Sequence, residues 1–252
     1  NLGVTVSPGK TLDGIGKFVV DIINPVEDSD TVVEVLKSSE AEILVNLLPV
    51  GSDEAVKFYA ECAIEAKVGF INCIPVFIAR DKDWYQKFSD NNVPLIGDDI
   101  KSQVGATIVH RALAQLFSDR GINLKRSYQL NVGGNMDFLN MLEEDRLQTK
   151  RTSKTTSVTS VANKGKGMEE GTVRIGPSDY VEWLEDRKKA FIRLEGEAFG
   201  GVPLNIELQL EVWDSPNSAG VVIDAIRYMK YFTMKNDLKS LDLVSAWLMK
   251  AP

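Results

Sequence analysis

The first hundred residues alternate short apolar runs with helical segments, and this alternation constrains the fold more than anything else in the chain. Glu42 to Leu48 is a short continuous apolar run, the pattern of a strand buried on both faces. Pro49-Val50-Gly51-Ser52 breaks it, and Ser52 is the expected N-cap of a helix from Asp53 to Ala66 that Gly69 ends. Phe70 to Ile74 is a second strand. A helix around Asp83 to Ser89 and a short strand Val93 to Ile96 follow. Strand, helix, strand, helix, strand at this spacing predicts a parallel sheet of the α/β class.

The pattern then changes. Ser102 to Asp119 reads as a helix with an apolar face of Val104, Ile108, Ala112 and Leu116, closed by Gly121. Ser127 to Val132 is a strand, and Asp137 to Leu147 is helical. Ala190, Ile192 and Leu194 alternate with charged residues. Leu204, Ile206, Leu208, Leu210 and Val212 alternate with Asn205, Glu207, Gln209 and Glu211. Period-2 alternation of this kind marks antiparallel sheet with one face buried and one wet or paired. Ser215-Pro216 reads as an N-cap with Pro at the first helical position, opening a helix through Val222, Ile226 and Met229. A final helix carries Leu243, Trp247 and Lys250. A nucleotide-binding type of domain followed by a second, α+β domain with an oligomer interface fits this order.

Composition narrows the function. The 252 residues hold 29 Lys and Arg against 36 Asp and Glu, a net charge of −7. A nucleic-acid coat or a polybasic membrane binder carries the opposite sign, so neither nucleic acid nor membrane is expected as a partner. Two cysteines, Cys62 and Cys73, sit in apolar stretches and cannot build a disulfide framework, which favours a reducing cytoplasm. No signal peptide or membrane-length apolar run is read. The chain opens on Asn1 and stops at Lys250-Ala251-Pro252, and both ends read as truncations.

Several segments could carry chemistry. Six basic residues and no acidic one fall between Arg146 and Lys166, a local reversal of sign. Lys150 and Lys154 are four apart, so on a helix both face one side and await an anion; the competing reading is a solvated basic loop. Gly97-Asp98-Asp99-Ile100-Lys101-Ser102 lies at a strand's carboxyl end, where open α/β sheets take ligands. Ser102 and Gln103 offer N–H donors to a phosphate there, and the two carboxylates orient a cation or a ligand amide, or else cap the helix. Gly133-Gly134-Asn135-Met136-Asp137 and Trp213-Asp214-Ser215-Pro216-Asn217-Ser218 are strand-to-helix turns that admit a ligand or simply turn. His110 stands mid-helix without a triad and reads as structural. Gly14-Ile15-Gly16 lacks a preceding strand and a third glycine, so it is no dinucleotide fingerprint.

Taken together, Leu47-Leu48-Pro49-Val50-Gly51-Ser52, Gly97-Asp98-Asp99-Ile100-Lys101-Ser102, Asn131-Val132-Gly133-Gly134-Asn135-Met136-Asp137, Ser153-Lys154-Thr155, Asp186-Arg187-Lys188 and Trp213-Asp214-Ser215-Pro216-Asn217-Ser218-Ala219-Gly220 resemble the myo-inositol-1-phosphate synthase family in its shorter bacterial and archaeal form. The resemblance implies a Rossmann-like parallel sheet, its N-terminal part missing here, with an inserted α+β antiparallel-sheet domain for oligomerisation and catalysis. The domains it implies are a partial NAD-binding domain over 1–100, a catalytic and oligomerisation domain over 101–220, and helices over 221–252 that return to the first. It implies an isomerase of inositol biosynthesis, and so of phospholipid and lipid metabolism. D-glucose 6-phosphate becomes 1D-myo-inositol 3-phosphate through oxidation of C5 with NAD, loss of a C6 proton, aldol closure onto C1 and re-reduction of C5. The catalytic residues implied are Lys150, Lys154, Lys188, Lys250 and Asp99, with Lys150 and Lys250 at the reacting oxygens. Ser102, Gln103, Asn135 and Asp137 are implied for the substrate. Pro49, Val50, Asn72, Asp99, Asp214 and Ser215 are implied for NAD. A divalent or monovalent cation and a cytoplasmic homotetramer complete the expectation. The alternatives are an NAD-dependent sugar-phosphate dehydrogenase and an inactive anion- or RNA-binding remnant of the same scaffold.

Overall fold

The computed structural model describes residues 3, 6–27, 31–143, 155 and 158–250. The chain divides into two compact units, one of residues 1–100 with 223–252 and one of residues 101–222.

In the first unit β1 (Ile43–Asn46), β2 (Gly69–Asn72) and β3 (Leu95–Ile96) form a parallel sheet in that order. Helices α1 (Val32–Ser38), α2 (Asp53–Ala66) and α3 (Lys82–Asp90) connect or precede them. The expected alternation is present because each run is apolar on both faces. Val56, Ala60, Ala63, Phe70, Ile78 and Phe88 make the core. Gly69 is needed for a close approach, since a Cβ there would collide with the Met229 sulfur.

The ends of α2 differ from expectation. Ser52 makes no side-chain cap bond. The Asp13 carboxylate accepts instead from Glu54 N (2.8 Å) and Ala55 N (2.9 Å). At the other end Lys67, not a glycine, takes the left-handed conformation (φ 59°). The cap comes from 40 residues away, so no local pattern announces it.

The second unit holds α4 (Ala106–Asp119), β4 (Asn123–Gly133), α5 (Met136–Asn140), β5 (Val173–Tyr180), β6 (Arg187–Glu197) and β7 (Pro203–Trp213). The sheet order is β5-β4-β6-β7. β6 pairs antiparallel with β4 and β7, but β4 and β5 run parallel, so the sheet is mixed rather than purely antiparallel. β5 lacks alternation and carries Gly176-Pro177, which an edge strand tolerates. Ala190, Ile192 and Leu194 are buried as the alternation predicts. The opposite face is a ladder of ion pairs that includes Arg193–Glu207, Arg126–Glu195 and Lys189–Glu211.

Two helices of this unit correct the sequence reading. α4 begins at Ala106, not Ser102, because Gly105 is extended and Asn217 ties down the residues before it. Its buried face is Ala106, Thr107, His110, Ala114 and Phe117. The stripe of Val104, Ile108, Ala112 and Leu116 is turned outward, with Val104 and Leu116 each about half exposed. Phe117 anchors the buried face in the core, with Val109 and Leu113 packed beside it, and His110 is kept there by its hydrogen bonds. α5 ends at Asn140, short of the expected Leu147, and residues 144–147 lie outside the described residues.

α6 (Asp214–Met234) is the helix in which the division between units falls, and α7 (Leu241–Leu248) belongs to the first unit. Lys250 lies beyond α7 rather than on it. Met249 is extended and bridges Ile100.

His110 is structural. It is fully buried, hydrogen-bonded through Nε2 to Ser127 Oγ at 2.6 Å and through Nδ1 to Gln129 Oε1 at 3.3 Å. Burial pulls its pKa down from 6.5 to about 4, against the Gln129 contact. The folded ring therefore stays neutral where the unfolded ring takes up a proton. Stability is lost as pH falls from 6.5 towards 4, by about 3 kcal/mol for this group. His110→Gln has no such proton to bind, so the stability gap between wild type and variant should shrink by that amount between pH 7 and pH 4. Urea melts giving an equal gap at both pH values would refute a buried neutral His110. Separately, Asp13→Ala should lower stability by about 1 kcal/mol. Ser52→Ala should change it by less than about 0.5 kcal/mol, and equal losses in denaturant melts would contradict the assignment of the cap.

Candidate active site

In the first unit the carboxyl ends of β1, β2 and β3 carry a polar ladder. Asn46 ends β1 and Asn72 ends β2, paired in register. Leu48 N donates to Asn46 Oδ1 (3.1 Å), Asn46 Nδ2 to Asn72 Oδ1 (2.8 Å), and Asn72 Nδ2 to Asp98 Oδ1 (2.7 Å). Each amide is oriented by the donor before it, so the ladder ends on an acceptor. Asp98, fully buried, also accepts from Ile78 N (3.0 Å), Ala79 N (3.2 Å) and Arg80 N (3.1 Å). Burial pushes its pKa up to about 6, while these donors hold it back. Neither Asp98 nor Asp99 caps a helix.

Asp99 turns the other way. Its backbone is left-handed (φ 64°), and its Oδ1 accepts from Lys250 Nζ at 2.7 Å. Lys250 N also donates to Asp99 O (2.7 Å), which locks the segment after α7 alongside residues 99–100. Both partners are largely buried, Asp99 3% exposed. Cys73 lies near this pair, and burial together with the Asp99 charge raises its thiol to about 12, so it is no nucleophile. Pro49 is exposed after β1, whereas Val50 is buried and Gly51 turns with φ 86°. Ala79 and Arg80 of the loop that meets Asp98 line a cavity of about 460 Å³ together with Tyr85, Asp242 and Ser245.

In the second unit the motifs gather at one end of the mixed sheet. Lys188 near the start of β6 forms an ion pair with Asp214, the first residue of α6. Asp186 caps that helix: Asp186 O accepts from Asp214 N (2.9 Å), Oδ2 from Ser215 N (3.0 Å) and Oδ1 from Ser215 Oγ (2.8 Å). Ser215 is thus inside the first turn rather than the cap. Asn135 caps α5 through Phe138 N (3.2 Å) and donates Nδ2 to Asp186 Oδ1 (3.1 Å). Partial burial opposes the Asp186 charge, but the Ser215 and Asn135 bonds and the Lys188 charge outweigh it and lower its pKa. Asp137 sits in the first turn of α5. The glycines before Asn135 serve packing, since a Cβ on Gly133 would strike the Phe138 ring and one on Gly134 the backbone at Val181 and Glu185.

Ser102 and Gln103 precede α4 without being its first turn. Gln103 N donates to Asn217 O (2.9 Å), and its side-chain amide lies where a Cβ on Gly220 would meet it. Lys150 and Lys154 lie outside the described residues. Asp186, Asn217 and Asn46 were not singled out from the sequence for any role. Asp186 and Asn217 stood inside motifs already noted, and Asn46 left a trace in the parallel endings Leu44-Val45-Asn46 and Phe70-Ile71-Asn72. Among the described residues no group of three or more His, Cys, Asp or Glu is placed to hold a metal ion, and no helix is long and apolar enough to cross a membrane.

A family model described as myo-inositol-1-phosphate synthase matches residues 105–215. The inositol-3-phosphate synthase of Mycolicibacterium smegmatis is 59% identical over 254 residues, which cover 99% of this chain and 69% of that protein. The inositol-3-phosphate synthase of Mycobacterium tuberculosis H37Rv is 58% identical over 251 residues, 99% of this chain and 68% of its own length. The crystal structure of a myo-inositol-1-phosphate synthase-related protein from Thermotoga maritima matches with a TM-score of 0.71 at 25% identity, over 87% of this chain and 62% of that one. With its parallel sheet, its separate mixed sheet and this identity across nearly its whole length, the chain belongs to the myo-inositol-1-phosphate synthase family.

Proposed function

We propose that the protein containing this chain is an isomerase that converts D-glucose 6-phosphate to 1D-myo-inositol 3-phosphate. The observation that carries the reading is Lys250, held by Asp99 at the carboxyl edge of three parallel strands in a chain of this family. Relatives named inositol-3-phosphate synthase at 52–59% identity favour it over a dehydrogenase or an inactive remnant.

The residues present fit NAD. Parallel strands that end together at one edge are where such sheets receive nucleotides, and the turn after β1 brings Pro49 to the surface there. Pro49, Val50, Asn72, Asp99, Asp214 and Ser215 would border it. Val50 and Asn72 are buried, so they act by shaping that border. When bound, NAD supplies the hydride acceptor and donor at the sugar C5, leaving no net redox change. Among the described residues no group of three or more His, Cys, Asp or Glu is placed to hold a cation.

The chain supplies charge. Negative charge develops on the sugar's C5 and C1 oxygens during enolisation and ring closure, and preorganised ammonium groups stabilise it. Lys150 and Lys250 serve those oxygens; Lys154 and Lys188 serve the remaining substrate oxygens and the phosphate. Asp99 and Asp214 keep Lys250 and Lys188 in place until substrate arrives. Asn135 and Asp137 line the sugar. Ser102 and Gln103 bind the phosphate through their side chains, since the Gln103 N–H already serves Asn217.

The same reading gives a cytoplasmic homotetramer. β7 is an edge strand of 11 residues whose Leu204, Ile206, Leu208 and Leu210 are only partly buried, a face that a second copy would cover. Light scattering of the full-length protein at micromolar concentration should give four copies, and a monomer would overturn this assembly.

The reaction is tested by incubating the full-length protein with glucose 6-phosphate and NAD. Inositol phosphate should accumulate while NAD is required but not consumed. One NADH formed per substrate would instead establish a dehydrogenase. Lys150→Ala should cut turnover by about 10²–10³-fold while moving stability by less than about 0.5 kcal/mol. Unchanged turnover would remove Lys150 from the site.

A further inference from the structure

We propose that Asp98 is a positioning residue of this enzyme: its buried carboxylate fixes the left-handed backbone of Asp99 and so aims the Asp99 carboxylate at Lys250. The proposal rests on the reading that Asp99 and Lys250 take part in turnover.

Asp98 has no exposed surface and gathers four N–H donors, one from Asn72 and three from the consecutive residues Ile78, Ala79 and Arg80. Three consecutive amides directed at one carboxylate form an anion nest built by the chain itself. An amide side chain of the same size could not replace it. Asn would turn an NH2 group toward donors and leave at least one of them unpaired.

The nest anchors one end of the loop 73–80, and the other end carries Asp99. Ile74 O accepts from Asp99 N (3.2 Å), and Cys73 O accepts from Ile100 N (3.0 Å). Asp99 is therefore suspended from a loop whose far end is held by the residue just before it in sequence. Left-handed backbone at a residue with a Cβ is unfavourable and persists only where the surroundings over-determine it. Here the surroundings are this closed circuit of Asp98, the loop 73–80 and the Asp99 backbone. Buried charge is costly wherever it stands, and one placed a single residue from the Lys250 partner has a use beyond stability.

The test uses full-length enzyme with NAD. Wild type must first form inositol phosphate from glucose 6-phosphate; if it does not, the functional reading falls and this proposal with it. Given an active wild type, Asp98→Asn should lower kcat by about 10- to 100-fold, the scale of a small misplacement of a reacting group. The KM for glucose 6-phosphate, measured at saturating NAD, should stay within about threefold, because Asp98 itself contacts no substrate. A folded Asp98→Asn enzyme with wild-type kcat at saturating NAD, or with its loss carried by the KM for glucose 6-phosphate, overturns the positioning role while leaving the isomerase reading intact. Should Asp98→Asn fail to fold, Asn72→Ala decides, since it removes one of the four donors and keeps the three backbone ones. It should lower kcat, measured at saturating NAD, about 3- to 10-fold. Wild-type kcat in Asn72→Ala at saturating NAD refutes the proposal.

Discussion

Backbone N–H groups stranded at the ends of strands and helices must find partners, and in this chain the partners are carboxylates distant in sequence. Ile78, Ala79 and Arg80 meet Asp98, the first turn of α2 meets Asp13, and the first turn of α6 meets Asp186. A buried donor left unpaired costs as much as a lost hydrogen bond or more. Asp13 and Asp186 close the starts of helices, and Asp98 holds the loop that follows β2. Asp98 stands beside Asp99, and Asp186 joins Asn135, Ser215 and the Lys188–Asp214 pair in one cluster.

The two lysines described here share a design. Lys250 and Lys188 each lie against an aspartate and are largely withdrawn from water. An exposed pair of this kind contributes little, because water screens it. A partly buried one holds a flexible side chain in a single place, which suits a group that must meet charge developing on a substrate. The outer face of the mixed sheet shows the contrast. Its ion pairs lie along exposed strand surface, keep the sheet wet on that side and mark no site.

Much of the architecture was legible because hydrophobic period and length are local. The continuous runs at 43–46 and 69–72 gave a parallel sheet, and the alternation at 187–197 and 203–213 gave the two long antiparallel strands. β5 was not legible, since Gly176 and Pro177 erase its pattern and its pairing to β4 is a long-range event. The face of α4 was misread because periodicity counts apolar side chains, whereas packing selects shape. Phe117, Ala106, Ala114 and the hydrogen-bonded His110 meet the core, while Val104 and Leu116 stay about half exposed.

The motifs at 97–102, 131–137, 186–188 and 213–220 were visible in the sequence and tied the chain to its family. Residue type and spacing set which groups are present and which short elements carry them. Tertiary structure alone decided their partners. It sent Asp98 to the backbone amides of residues 78–80 and Asp99 to Lys250, although the two are adjacent, buried and chemically the same. It also took the cap of α6 from Asp186, placed Lys250 beyond α7 beside Asp99, and gave the Gln103 N–H to Asn217. The physical reason is that a hydrogen bond or ion pair between residues tens to more than a hundred positions apart exists only once the chain between them has folded. Nothing in the local sequence encodes which partner each of two equivalent carboxylates will then meet.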